Sequence, residues 1–422
     1  MRAAEDPDLD RFLCAVAESL GEKRVSRDGA GSGLALQPAA VLWPHSASAV
    51  SKVLRAARVH KVAVVACGTG SRLPGMLAAM AAGRFVLLSL RDLAGVHRVE
   101  PEALWLEAGA GTPLADVQRA AQRVGCALAG FEDAEPGSVG GWLGRAEGLP
   151  DPILGLVQPA VLGLEAVLPS GEIVSSVPTP RSACGPDAFA SLVGTGGVFG
   201  VITRAILKLS PEGGQRRTLA LSFARLESAC AWARGVHVST YPPRRAELWV
   251  DRGGGQEPPT FRAVALFAGH EQLVEASLRY CGRKGGELEG TPLPESPAWE
   301  KGASPAGELA HGWIRWSRLG PALGALDGRI GVPSRVVVDR LSPMGGRLRV
   351  FSVQPDPAGE VRSDSQRELD DLLAELDPQM RASGACWQAF SRLKAALDPD
   401  GLINPQAWPL GPRPTGDRGG GR

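Results

Sequence analysis

The sequence predicts an α+β protein whose first half mixes short strands and helices and whose second half is an antiparallel sheet with helices on one face. Three observations carry this. Glycine clusters interrupt the first half at three places, each beside an apolar segment. From Leu219 to Val353 strand-helix-strand units recur, the pattern of helices segregated to one side of a sheet. A chain of 422 residues that is 44% hydrophobic and 22% charged has the material for two or three domains.

Taken in order, Leu9–Leu20 has helical spacing. Ala40–Trp43 reads as a strand, Ser46 as a helix cap, and Val50, Val53, Leu54 and Ala57 as one buried helical face. The β-branched run Val62–Ala66 feeds the first glycine cluster, and Phe85–Leu90 is a buried strand. Val96–Glu100 and Ala103–Ala108 make a short pair, and Pro113–Val124 a helix with Leu114, Val117, Ala121 and Val124 inward. Ala160–Leu168, the turn Pro169-Ser170-Gly171 and Glu172–Val177 form a hairpin. Val201–Leu209 is a strand ending at Pro211, and the polar stretch Pro211–Arg217 is a domain boundary.

Beyond it come strand Leu219–Phe223, helix Leu226–Val238, strands Ala246–Val250 and Arg262–Phe267, and helix Glu271–Lys284. A second round has strand Gly312–Trp316, helix Pro321–Leu326 and strands Arg335–Val338 and Arg347–Val353. Helix Cys386–Leu397 closes the ordered chain, and Gly411–Arg422 reads as a disordered tail.

Composition excludes several classes. Lys plus Arg is 46 against 45 for Asp plus Glu, so no overall field draws the protein to nucleic acid or an acidic membrane. The seven scattered cysteines never form Cys-x-x-Cys, which supports neither a disulfide framework nor a metal cluster. No secretory h-region and no bilayer-length apolar run occur, so the expected location is cytoplasmic, without membrane insertion.

The glycine clusters are the candidates for chemistry. Gly68-Thr69-Gly70-Ser71-Arg72-Leu73-Pro74-Gly75 offers main-chain N–H groups, the Ser71 hydroxyl and the Arg72 charge to a phosphate-rich ligand, or is an ordinary sharp loop. It is not a P-loop, lacking the Lys-Ser/Thr pair, nor the Gly-x-Gly-x-x-Gly dinucleotide fingerprint. Gly137-Ser138-Val139-Gly140-Gly141 could present Ser138, Gly140 and Gly141 to the same phosphates or start a helix with Ser138 as cap; the two are compatible. Gly194–Ile202 could address a flat heterocycle through the main chain of its opening strand, or be a tight strand-entry turn.

In this order, together with the Val161–Gly171 hairpin and the third run continuing to Thr203, these segments resemble the FAD-binding domain of the vanillyl-alcohol oxidase / p-cresol methylhydroxylase (PCMH) superfamily. The closing run from Leu393 through Asp398-Pro399-Asp400-Gly401-Leu402-Ile403-Asn404-Pro405 is similar to the C-terminal signature of its FAD-linked oxidases. Among its members, the chain looks most like the glycolate oxidase FAD-binding subunit and FAD-linked D-2-hydroxyacid dehydrogenases.

The resemblance implies an N-terminal helix and link over 1–37, a two-subdomain FAD-binding PCMH-type domain over 38–210, a cap domain for substrate over 211–380, and a C-terminal helix over 381–410 returning to the FAD domain. It would put Gly68, Thr69, Gly70, Ser71 and Gly75 at the FAD pyrophosphate, Ser138, Gly140 and Gly141 beside it, and Gly200 and Ile202 at the cofactor through their main chain. The first loop has no histidine, so a non-covalently held FAD is expected. Cys67 and Thr69 stand where the family usually has glycine, no Asn occurs in Trp142–Gly148, and Pro186-Asp187 replaces a Tyr-Asp pair.

For substrate, the six histidines include no metal-binding spacing, and the family's Gly-Asp-Gly-Asn-x-His motif is absent. In a strand, His311, Trp313 and Arg315 would share one face: Arg315 to clamp a carboxylate, His311 to take the hydroxyl proton, hydride passing to the flavin. The plainer reading is a solvated face with a surface arginine. The expected function is FAD-dependent oxidation of a small 2-hydroxy acid of the glycolate or D-lactate type, among partner subunits of an oxidase complex. The alternative is a non-catalytic scaffold or binding subunit that keeps the fold with weakened or lost FAD binding.

Overall fold

The computed structural model describes residues 7–27, 38–69, 85–128, 137–145, 160–176, 192–211, 213–239, 241–251, 260–293, 308–329, 334–339, 345–352, 372 and 384–404. The tail Gly411–Arg422 lies outside them. The described residues fall into two compact units, one holding those up to 145 with 160–211 and 384–404, the other 213–352 and 372.

In the first unit, helix α1 (Pro7–Leu20) buries Phe12, Leu13, Val16 and Leu20. Strands β1 (Val25–Ser26), β2 (Ala40–Leu42), β3 (Ala63–Cys67) and β4 (Phe85–Ser89) form a sheet of order β1-β2-β4-β3, with β2, β4 and β3 parallel. Helix α2 (Ala47–His60) connects β2 to β3. The Ser46 side chain caps it by accepting from Ala49 N at 3.1 Å, satisfying one of the unpaired donors of the first turn.

A second sheet, order β5-β6-β10-β8-β9, comprises β5 (Val96–Glu100), β6 (Trp105–Gly109), β8 (Val161–Val167), β9 (Ile173–Ser175) and β10 (Val201–Pro211), with β7 (Cys126–Leu128) pairing the far end of β10. Helix α3 (Leu114–Gln122) buries Leu114, Val117 and Ala121. Val124, expected inward, is 39% exposed, because the helix stops at Gln122 and Gly125 takes a left-handed φ of 67°. The β8–β9 hairpin pairs Val167 with Ile173, and its turn glycine, Gly171, has φ 83°. Its carbonyl accepts from Ser51 and Arg55 of α2, which ties the turn to the first sheet's helix. Both sheets feed one apolar core.

The second unit is a seven-stranded sheet, antiparallel at every pairing: β11 (Gln215–Phe223), β12 (Arg245–Asp251), β13 (Thr260–Gly269), β14 (Thr291–Pro292), β15 (Glu308–Arg315), β16 (Ser334–Asp339) and β17 (Gly345–Ser352), in the order β14-β11-β13-β12-β16-β17-β15. Helices α5 (Leu226–His237), α6 (Glu271–Glu287) and α7 (Trp316–Arg329) cover one face. The expected boundary at Pro211–Arg217 is narrower, since β10 runs to Pro211 and β11 pairs from Gln215. Helix α7 begins at Trp316, not Pro321, and ends the preceding strand at Arg315. Near the helix start, Pro321 removes one backbone donor without stopping the helix.

Candidate functional site

The site in the first unit is built where three loops meet. Strand β3 delivers Cys67 to the end of the parallel ladder, opposite Ser89, and the chain turns at Gly68 and Thr69. Ser138 opens the short helix α4 (Val139–Arg145), and Gly194–Gly200 leads into β10.

The first two clusters touch. A Cβ on Gly68 would lie 1.9 Å from Ser138 Oγ and 2.9 Å from Ser138 Cβ, so only glycine fits there. Ser138, 1% exposed, accepts from Gly141 N at 3.2 Å; the cap thus uses the hydroxyl as acceptor and leaves its proton to donate. Gly140 N donates to Ala110 O at 2.8 Å, and a Cβ there would come within 2.9 Å of Ala110 Cβ. The N–H groups of Gly140 and Gly141 are therefore engaged within the protein, with Ser138 as the cap of α4. Gly140 serves close approach of α4 to the end of β6.

The second and third clusters are tied as well. Gly194 N donates to Leu143 O at 2.8 Å and Gly196 N to Gly144 O at 2.6 Å. Gly194, Gly196 and Gly197 all have positive φ (81°, 63° and 74°), the region where a side chain is strained. At Gly200 a Cβ would meet Val167 O at 3.0 Å. Strand β10 first pairs with β6 at Arg204, so Gly200 to Ile202 extends past the last β6 partner with main chain on that side.

The first and third clusters are joined by a residue the sequence reading did not assign. Asn404 Oδ1 accepts from Ala66 N at 2.9 Å, and its Nδ2 donates to Gly196 O at 3.0 Å. Its own N–H donates to Val64 O, and Leu402 O accepts from Val64 N. Beneath it, Lys394 of helix α8 (Gly384–Leu397) donates to Val198 O (2.7 Å), Ile403 O (2.8 Å) and Asp398 Oδ2 (2.6 Å). Asp398 in turn accepts from Leu402 N and Ile403 N. Burial pulls the Lys394 ammonium below its ordinary range, and the Asp398 carboxylate works against that shift. The available signal was the Lys394 to Asn404 spacing in the closing motif; nothing local says what it binds.

Gly68, Thr69, Ser138, Gly140, Gly141, Gly200 and Ile202 thus belong to one linked assembly, while Gly70, Ser71 and Gly75 lie outside the described residues. Cys67 is held as a neutral thiol: burial, partly offset by Arg91 and a hydrogen bond from Ser89, pushes it up to about 12. The close main-chain approach and the Ser138 hydroxyl suit a phosphate-bearing cofactor. Residues 38–176 match the FAD binding domain family. This segment is an FAD-binding domain, and FAD is its cofactor.

The domain has relatives and structural neighbours. The chain is 26% identical over 216 residues to alkyldihydroxyacetonephosphate synthase of Caenorhabditis elegans, covering 50% of this chain and 36% of that one. It is 27% identical over 218 residues to glycolate oxidase subunit GlcD of Bacillus subtilis (50% and 45% covered) and 30% identical over 191 residues to D-lactate dehydrogenase of Archaeoglobus fulgidus (45% and 42%). The matches span less than half the length of these relatives. A solved alkyldihydroxyacetonephosphate synthase superposes with TM-score 0.76 at 14% identity, covering 95% of this chain and 86% of that one. p-Cresol methylhydroxylase with substrate bound gives 0.73 at 14% identity, covering 96% and 98%. These structural likenesses establish the fold.

His311 and Arg315 lie in the second unit, on β15. In the backbone register His311 pairs with Arg349, and Arg315 with Gly345, of β17. Among the described residues no group of His, Cys, Asp and Glu could hold a metal ion, and no helix is long and apolar enough to cross a membrane.

Proposed function

We propose that the protein is an FAD-dependent oxidoreductase that oxidises a small 2-hydroxy acid of the glycolate or D-lactate type, in the cytoplasm and with partner subunits. The observation that carries this reading over a scaffold role is the linked assembly: Gly68 fitted against Ser138, and Asn404 joining Ala66 to Gly196, keep the cofactor site built despite Cys67 and Thr69. The glycolate oxidase and D-lactate dehydrogenase relatives support the substrate class.

In this reading the FAD is held non-covalently, since the adjacent Cys67 thiol stays protonated. FAD, when bound, supplies a two-electron acceptor. The second unit acts as the substrate domain. Arg315 holds the substrate carboxylate with paired N–H donors, and the imidazole of His311 takes the hydroxyl proton as C2 gives up its hydride, leaving a 2-oxo acid.

The purified protein should show flavin absorption bands that glycolate or D-lactate bleaches without oxygen. A colourless protein that ignores added FAD would support the scaffold instead. Arg315→Met should raise the substrate KM by about tenfold or more with a smaller change in kcat, because a charge-assisted hydrogen bond is lost. Unchanged kinetics would remove Arg315 from the role.

A further inference from the structure

Strand β3 is an edge of the first unit's first sheet, and the last described segment of the chain lies along it. Val64 N donates to Leu402 O at 2.8 Å and Asn404 N donates to Val64 O at 2.9 Å, so 402–404 extends the sheet by one parallel bridge. An open edge would leave these main-chain groups without protein partners. The segment is remote in sequence: the first unit's described residues stop at 211 and resume at 384, after the whole of the second unit.

Its attachments are polar for the most part. Asn404, 3% exposed, joins Ala66 N to Gly196 O, and a Cβ on Gly197 would lie 2.7 Å from its Nδ2, so the close fit needs glycine there. Asp398 accepts from Leu402 N at 3.0 Å and from Ile403 N at 2.8 Å, and pairs with Lys394, which also donates to Val198 O and Ile403 O. Lys61, at the end of α2, meets Asp400 at 2.5 Å. Apolar attachment is sparse. Over 388–397 of α8 only Lys394 is buried; Phe390 and Leu393 stay exposed, although Phe390 stacks on Phe199 at 5.9 Å. Over 398–404, Ile403 alone enters the apolar core. An element with few buried apolar contacts opens at a smaller free energy than the core around it.

We infer that residues 398–404 are a clasp whose seating is coupled to the binding of FAD. Seated, the clasp fixes the first glycine cluster against the third through Asn404 and holds the main chain of the third through Lys394. When it opens, Ala66 N and Gly196 O lose the side chain that spans them, and the two clusters are free to separate. FAD is the cofactor of this domain, and a ligand that prefers the joined arrangement shifts the clasp toward its seat. Linkage makes the effect reciprocal: the factor by which FAD favours the seated over the open clasp is the factor by which the seated clasp favours FAD. The inference depends on FAD binding and is independent of which substrate the flavin oxidises.

Amide hydrogen exchange of the full chain, stripped of FAD and then reloaded, tests the coupling without any turnover. FAD should slow exchange by about tenfold or more at Val64, Ala66, Leu402, Ile403 and Asn404, whose N–H groups are all bonded to or within the clasp, and much less along β4 in the interior of the same sheet. Equal exchange at the clasp with and without FAD, or equal slowing at the clasp and along β4, overturns the inference. Ile403→Ala should speed FAD release by about tenfold or more, and the milder Ile403→Val by less, both followed by flavin fluorescence. Val16→Ala, on α1 in the same core, should lower the thermal midpoint without that effect on release. Release at the parent rate in both Ile403 variants, or release quickened as much by Val16→Ala, also overturns it.

Discussion

The glycine clusters of the first unit pack through main chain, the sheet of the second through side chains, and the contrast explains what distant similarity carries. Around Gly68, Ser138, Gly196 and Asn404 the requirement is that backbones come close and stay put. Many sequences meet that requirement, so the FAD-binding domain is recognisable at low identity. In the second unit's sheet, contacts such as Trp249 Nε1 to the Glu247 carboxylate and Arg262 over the Trp249 ring depend on which residue stands at each register position. Each unit also buries one ion pair, Lys394 with Asp398 in the first and Arg245 with Glu247 in the second.

The comparison breaks first, and most severely, at Asp398. Replacing it with Ala leaves Lys394 a buried cation without its carboxylate, a loss of about 3–5 kcal/mol that should appear as a large drop in thermal midpoint and in retained FAD. The double change Lys394→Met with Asp398→Leu removes both charges and should recover much of it. Equal destabilisation by the single and double variants would show that packing, not charge pairing, sets the effect.

Gly68→Ala comes next. Its Cβ would collide with Ser138, so FAD affinity should fall about tenfold or more, and adding Ser138→Gly should restore part of it by clearing both close atoms. A single variant that binds FAD like the parent would mean the two clusters are not held in contact.

A smaller effect is expected at Asn404, whose side chain spans the first and third clusters. Asn404→Ala should weaken FAD binding by about 1–3 kcal/mol, read by flavin fluorescence. Asn404→Asp, which keeps the acceptor for Ala66 N and loses the donor to Gly196 O, should fall between. If Asp and Ala behave alike, only the donor matters.

The smallest effect concerns the second unit alone. His237 Nε2 is buried without a hydrogen-bond partner among the described residues, and burial lowers its pKa from 6.5 to about 4. The unfolded chain then binds more protons than the folded one between those values. Stability from this group is complete above pH 6.5 and declines as pH falls toward 4. His237→Leu should flatten that part of the stability profile, measured by denaturant unfolding at several pH values; an identical slope in the variant would assign it to other groups.

Local signals were legible in the residues, and signals between distant segments were not. The Ser46 cap, the Val50-Val53-Leu54-Ala57 face and the Pro169-Ser170-Gly171 turn each depend on a few neighbours, and each appears where the pattern puts it. Where a nearby backbone feature intervened, the reading slipped: Gly125 ended α3 early enough to expose Val124, and Pro321 did not start α7. The Asn404 bridge to Ala66 crosses 338 positions of sequence, and no period or spacing encodes such a contact.

By itself the sequence determined the kinds and order of the elements, the need for glycine at three places and the near-zero net charge, because these follow from short-range periodicity and composition. The tertiary structure alone decided that Gly68 rests on Ser138, that Gly140 and Gly141 spend their N–H groups inside the protein, and that Asn404 and Lys394 hold the clusters together. Those outcomes depend on sheet order, register and buried polar pairing, which become specific only once segments far apart in the chain pack against one another.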